Sequence, residues 1–124
     1  MEMKSQILGV EHPDTLTSME NLARTYYRQN WWEEAEKLEV QVMKMRSQIL
    51  GAEHPDTLTS MRNLARTYHR QNWWEEAEKL EVQVMEMRSH ILSTKHPDTL
   101  TSMKDLAHTW KKLGQDDKAI AILQ

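Results

Sequence analysis

The sequence predicts an all-α fold, an α-α superhelix or solenoid of stacked helical hairpins, on three observations. The chain repeats every 42 residues: positions 1–42 and 43–84 differ only at Glu2/Lys44, Lys4/Arg46, Val10/Ala52, Glu20/Arg62 and Tyr27/His69. A fixed period of this length marks units that bury their apolar faces by stacking on one another. Apolar residues inside each period recur at helical spacing. Finally, three Gly and three Pro in 124 residues are too few breakers for the close-set turns of an all-β fold.

Residues 1–124 therefore read as a single array. Positions 1–10 are the second half of a helix B, 12–52 are repeat 1, 54–94 are repeat 2, and 96–124 are a truncated repeat 3. Each repeat opens with "HPDTLTSM", at His12, His54 and His96. His, Asp, Ser and Thr together could serve catalysis, but the motif has the order of a helix start. Gly9 and Gly51 lie just past the preceding helix, Pro13 and Pro55 fall in the first turn, and Asp14 and Asp56 face the positive end of the helix dipole. Equivalent histidines on stacked hairpins stand about 10 Å apart, too far to share a metal.

Helix A follows, with Leu16, Met19, Leu22, Ala23 and Tyr26 on one stripe. Asn30, Asn72 and Gly114 fall where the chain reverses, and both residue types tolerate the left-handed conformation that closes a helix. Helix B carries Trp32, Ala35, Leu38, Val42, Met45 and Ile49 on its stripe. Trp31 and Trp73, next to the turn, are expected to be partly exposed and to cover the neighbouring hairpin.

Composition narrows the function classes. There is no cysteine, hence no disulfide framework and no thiolate nucleophile or metal ligand. No run is long or apolar enough for a membrane span or an export signal, so the expected location is cytoplasmic, without a membrane partner. There is no Gly-rich phosphate loop and no helical His-Glu-x-x-His, and the six histidines are dispersed. An enzyme, a cofactor and a metal site are not expected.

Leu22-Ala23-x-x-Tyr26 followed by Ala35, its copy Leu64-Ala65-x-x-Tyr68 with Ala77, and Leu106-Ala107-x-x-Trp110 with Ala119 resemble the tetratricopeptide repeat. The longer period and "ILGxEHPDTLTSMxNLA" are similar to the 42-residue subclass found in kinesin light chains. The resemblance covers the whole chain and implies a non-enzymatic scaffold for protein or peptide binding. It also implies that helix A lines a concave groove.

On that placement the groove carries Asn21, Arg24, Tyr27 and Arg28 from repeat 1, and Arg62, Asn63, Arg66, His69 and Arg70 from repeat 2. Repeat 3 adds Lys104, His108, Lys111 and Lys112. Only Glu20 and Asp105 oppose these bases, while helix B carries the compensating acids Glu33, Glu34, Glu36 and Glu39 and their copies. A one-signed groove concentrates the opposite charge, so an extended acidic peptide is the expected ligand. Asn21 and Asn63 resemble the asparagines that hold a peptide main chain in this family, and Asp105 interrupts the series. Nucleic acid is not the expected partner of a chain with net charge −3. The alternative reading is a homo-oligomer: the half-helices at the two ends leave Met3, Ile7, Leu8, Ile120, Ile122 and Leu123 to stack head-to-tail or swap between copies.

Overall fold

The computed structural model describes residues 13–93 and 95–123. They form six helices, α1 (Pro13–Arg28), α2 (Trp32–Leu50), α3 (Pro55–Arg70), α4 (Trp74–Ile91), α5 (Pro97–Lys112) and α6 (Asp116–Leu123), and no strand is found among the described residues. Each helix packs chiefly on the one before it and the one after it, which makes a linear stack of hairpins.

The repeated octapeptide is a helix cap. His54 and His96 occupy the N-cap positions of α3 and α5, and their Nδ1 atoms accept the backbone N–H of Asp56 at 3.0 Å and of Asp98 at 3.1 Å. A donor that helix geometry leaves orphaned is thereby satisfied by an imidazole, in the role more often filled by Ser or Asp. Pro55 and Pro97 follow in the first turn, where a missing N–H costs nothing. His12 lies outside the described residues.

The A-to-B turn is a left-handed closure. Asn30, Asn72 and Gly114 have φ of 66°, 62° and 78°. The N–H of Trp31 reaches back to the carbonyl of Tyr26 at 2.9 Å and that of Asn30 to Tyr27 at 3.1 Å, and Trp73 and Asn72 repeat both bonds to Tyr68 and His69. This is the paired-bond Schellman closure, which usually carries an apolar contact between the residues bonded across it. Here that contact is aromatic: Trp31 stacks on Tyr26 and Trp73 on Tyr68, with centroids 5.5 and 5.7 Å apart. Trp31 and Trp73 are exposed, as expected, at 54% and 43%, and their rings lie on a tyrosine of their own hairpin.

The core is built from small residues at the helix crossings. Ala23, Ala35, Ala65, Ala77, Ala107 and Ala119 are all buried, and Leu58, Met61 and Val84 form an apolar cluster. Helix A buries polar residues as well: Thr57, Ser60 and Thr67 in α3, and Thr99, Ser102 and Thr109 in α5. Ser60 and Thr67 return hydrogen bonds to carbonyls one turn back, at Asp56 and Asn63, so close contact does not strand them. Burial departs from the apolar stripes at several places, among them Leu100, which is exposed although its copies Leu16 and Leu58 are buried. Ile49 is exposed, the charged Glu39 and Glu81 are buried, and Leu22 is 44% exposed although its copy Leu64 is only 1% exposed. Leu64 lies between helices on both sides, whereas among the described residues no helix precedes α1.

The closure sets a stability test. Asn72→Gly should match or exceed the parent in thermal unfolding, while Asn72→Ala should cost about 1 kcal/mol, because only the latter forces a Cβ into the left-handed region without a compensating side chain. Equal losses in both variants would mean that the asparagine side chain, not the backbone angle, holds the turn.

Candidate functional site

Eight of the thirteen predicted groove residues fall into two clusters, each built where one helix A meets the next. The first gathers around Tyr27. Arg66 and Arg70 hold their guanidinium carbons 4.7 and 5.7 Å from its ring centroid, and Arg70 Nε donates to the Tyr27 hydroxyl at 3.0 Å. Trp32 meets the Tyr27 ring edge-on at 4.9 Å and also lies under Arg70. Two arginines from α3 are thus spread over an aromatic base supplied by the previous repeat.

The second cluster surrounds His69, which stands in place of Tyr27 one period on. His69 packs against Trp74 and His108, with ring centroids 5.0 and 5.8 Å away, and Lys112 lies over Trp74. Arg62, Asn63, Arg66, His69 and Asp105 line a hollow of about 90 Å³ floored by Glu81. Arg24 bonds Asn21 within α1, at 3.3 Å. Arg28, Lys104 and Lys111 take no part in either cluster and have no ion pair among the described residues.

Both acids on the predicted face are neutralised. Arg46 of α2, which sequence reasoning did not place here, grips Glu20 through two nitrogens at 3.0 and 3.2 Å and also reaches Ser60. Arg62 occupies the position of Glu20 one period on, so it cannot repeat that pair. It extends to Asp105 at 2.9 Å, and Asp105 is the residue that replaces the third asparagine. Arg88, the copy of Arg46, turns to the Ser102 hydroxyl and the Asp98 carbonyl.

Glu39 and Glu81, expected only as compensating acids of helix B, are buried. Each is met by a threonine of the following helix A: Thr67 Oγ1 is 2.6 Å from Glu39 and Thr109 Oγ1 is 2.5 Å from Glu81. Burial pushes the Glu39 carboxyl up to about 7, against the lowering effect of Thr67 and Arg66, with Glu36 and Glu20 adding to the rise. The geometry fits a protonated acid. Thr67 has one hydroxyl proton, yet both Glu39 Oε1 and the Asn63 carbonyl are in reach. A proton on Glu39 lets the carboxyl donate to Thr67 while Thr67 donates to Asn63. At the second junction His69 Nε2 lies 3.1 Å from Glu81 Oε2 and 2.8 Å from Thr109 Oγ1, a ring nitrogen where the first repeat offers a phenol. No local motif signals these acids; the only hint in the sequence is that each Glu–Thr pair spans the same 28 positions.

Among the described residues no group of three or more His, Cys, Asp or Glu is placed to hold a metal, and no helix is long and apolar enough to cross a membrane. Of the residues expected at the ends, Met3, Ile7 and Leu8 lie outside the described residues. Ile120 and Leu123 of α6 are exposed, and Ile122 is half-buried.

The sequence profile of the tetratricopeptide repeat matches residues 15–56 and 57–98, two consecutive blocks of the 42-residue period. The chain belongs to the tetratricopeptide repeat family. Among solved structures it is similar to the kinesin light chain TPR-like repeats of Podosopora anserina, at 34% identity and a TM-score of 0.85, over 98% of this chain and 58% of that one. BtubC (BKLC) from P. vanneervenii, at 19% identity over 96% of this chain and 48% of that one, shares the fold with a TM-score of 0.85. The TPR domain of Arabidopsis FLU does so at 19% identity and a TM-score of 0.72, over 86% of this chain and 87% of that one. The chain thus spans a little over half the length of the Podosopora protein. A search of the curated proteins found no match. The tetratricopeptide array is a scaffold of the kind that mediates protein–protein interaction.

Glu39 gives this array a predictable pH dependence. The folded chain keeps a proton up to about pH 7 that the unfolded chain releases near 4.5, so stability falls as pH rises through that interval and is level above it. Glu39→Gln, which can still bond Thr67, should raise stability at pH 8 by about 1–3 kcal/mol and flatten the slope, as read by urea unfolding at both ends of the interval. An unchanged slope would locate the titration elsewhere.

Proposed function

We propose that this array binds an extended acidic peptide of a partner protein along the face formed by α1, α3 and α5. The observation that carries the reading is how the cations are held. Arg66, Arg70 and Lys112 lie on aromatic rings rather than on carboxylates, which orders them and leaves their charge for a ligand. Arg62 and Glu20 are occupied by internal pairs, so the acceptor region centres on Tyr27, Asn63, Arg66 and Arg70, with Lys112 and His108 beyond. Asn63 stands beside these arginines and offers an amide to the peptide main chain. Asn21 repeats it on α1, although its carbonyl oxygen already accepts from Arg24.

The test is anisotropy with a labelled acidic decapeptide library, its scrambled form and an oligonucleotide of equal charge at one salt concentration. Arg66→Ala with Arg70→Ala should weaken the best peptide at least tenfold, since each charge-assisted bond contributes about 1.5–3 kcal/mol. Equal binding by the oligonucleotide would replace a peptide groove with a general polyanion surface.

A second reading, a self-associating array, is favoured by the exposure of Leu22 on α1 and of Ile120 and Leu123 on α6, apolar residues at opposite ends of the described stack. In each hairpin junction a helix B lies on the following helix A, so α6 of one copy is matched to the face of α1 that no described helix covers in another. Sedimentation velocity over a hundredfold concentration range should then show growth with concentration that Leu123→Glu abolishes. A concentration-independent monomer would sink it.

A further inference from the structure

The aromatic rings on the turn side of the hairpins differ from those over the arginines. Tyr27, Trp32 and Trp74 all carry cations of the chain itself. The stacked pairs Tyr26–Trp31 and Tyr68–Trp73 carry none among the described residues, and acids follow them instead: Glu33 and Glu34 open α2, and Glu75 and Glu76 open α4. Tyr68, Asn72, Trp73, Trp74, Glu75, Glu76 and the next repeat's Leu113 line an open hollow of about 550 Å³, with Trp74 at the border between this edge and the face that carries Lys112. The field there is negative: besides burial, Glu36 and Glu76 push the Tyr68 hydroxyl above its usual value.

The third repeat displays an occupied version of this site. Trp110 stands at the position of Tyr26 and Tyr68, and Lys118 at the position of Glu34 and Glu76. Lys118 holds its ammonium 5.8 Å from the Trp110 ring centroid. Where the chain has a lysine, it covers the edge ring itself; where it has glutamates, the ring is left open beside negative charge. Lys79, the cation nearest Glu76, is 3.9 Å from that carboxylate and highly exposed, and it is not over either ring.

We propose that the Tyr68–Trp73 edge, with its copy at Tyr26–Trp31, binds an arginine side chain presented by a partner protein. A guanidinium suits it better than an ammonium, because it stacks flat on an indole, sheds water more readily and offers a fork to flanking carboxylates. The two copies recur one repeat apart, so a partner with two spaced arginines engages both and gains from the linkage. This edge takes the opposite charge from the groove and does not depend on it.

The experiment follows the indole N–H resonances of the folded chain while adding a short peptide with two arginines, and separately its citrulline counterpart, which is neutral and nearly isosteric. The arginine peptide should move the resonances of Trp31 and Trp73 most, leave that of Trp32 in place and move that of Trp74, at the border of the hollow, less than that of Trp73, and citrulline should move none of them. Glu75→Gln with Glu76→Gln, both at exposed positions, should weaken binding at least about threefold. Glu76→Lys, which copies the third repeat, should place its ammonium over the Tyr68 ring, shift the stacked Trp73 without ligand and block the peptide there. Arg66→Ala with Arg70→Ala should leave this response intact, so groove and edge can fail separately. Equal shifts with citrulline, or shifts confined to Trp32 and Trp74, would overturn the proposal.

Discussion

One backbone angle per repeat governs the layout of this protein. The left-handed residue at Asn30, Asn72 and Gly114 ends helix A and sends helix B back along it, and in the first two repeats the next residue is held against the ring one turn before. That residue then separates two environments. The aromatic that opens helix B turns toward the neighbouring repeat's cations, and the one before it stays on the turn side among acids. Moving the closure by one residue would rotate helix B by about a third of a turn and exchange these faces.

Most of the fold was legible because the same pattern is written repeatedly. Helical spacing, the proline at the helix start and the asparagine or glycine at the reversal agree in every copy, and local agreement of this kind identifies a fold. What resisted reading depends on the neighbour rather than on the residue. Leu22 and Leu64 sit in near-identical local sequence and differ in burial because their surroundings differ. Glu39 and Glu81 lie among other glutamates and read as surface, yet a threonine on the following repeat draws each inward. Trp31 and Trp73 looked surplus until the turn geometry gave each a ring to stack on.

The candidate site was legible as a face but not as a charge balance. The basic residues do gather, yet counting signs missed that Arg62 and Glu20 are consumed by Asp105 and Arg46, and that buried acids underlie the rest. Chemistry at such a surface is set less by how many arginines it has than by what each one rests on. An arginine on Tyr27 keeps its charge available; one on Asp105 does not.

Near-identity of repeats brings a folding hazard, since an unfolded chain could pair a helix with the right partner's copy 42 residues away. The Arg46–Glu20 and Arg62–Asp105 pairs act against this as keys to register. If α3 settled where α1 belongs, Arg46 would meet Arg62 instead of Glu20, two cations in a half-buried place. The Glu20/Arg62 exchange, one of five differences in 42 positions, thus labels two otherwise interchangeable hairpins and tells the chain which comes first.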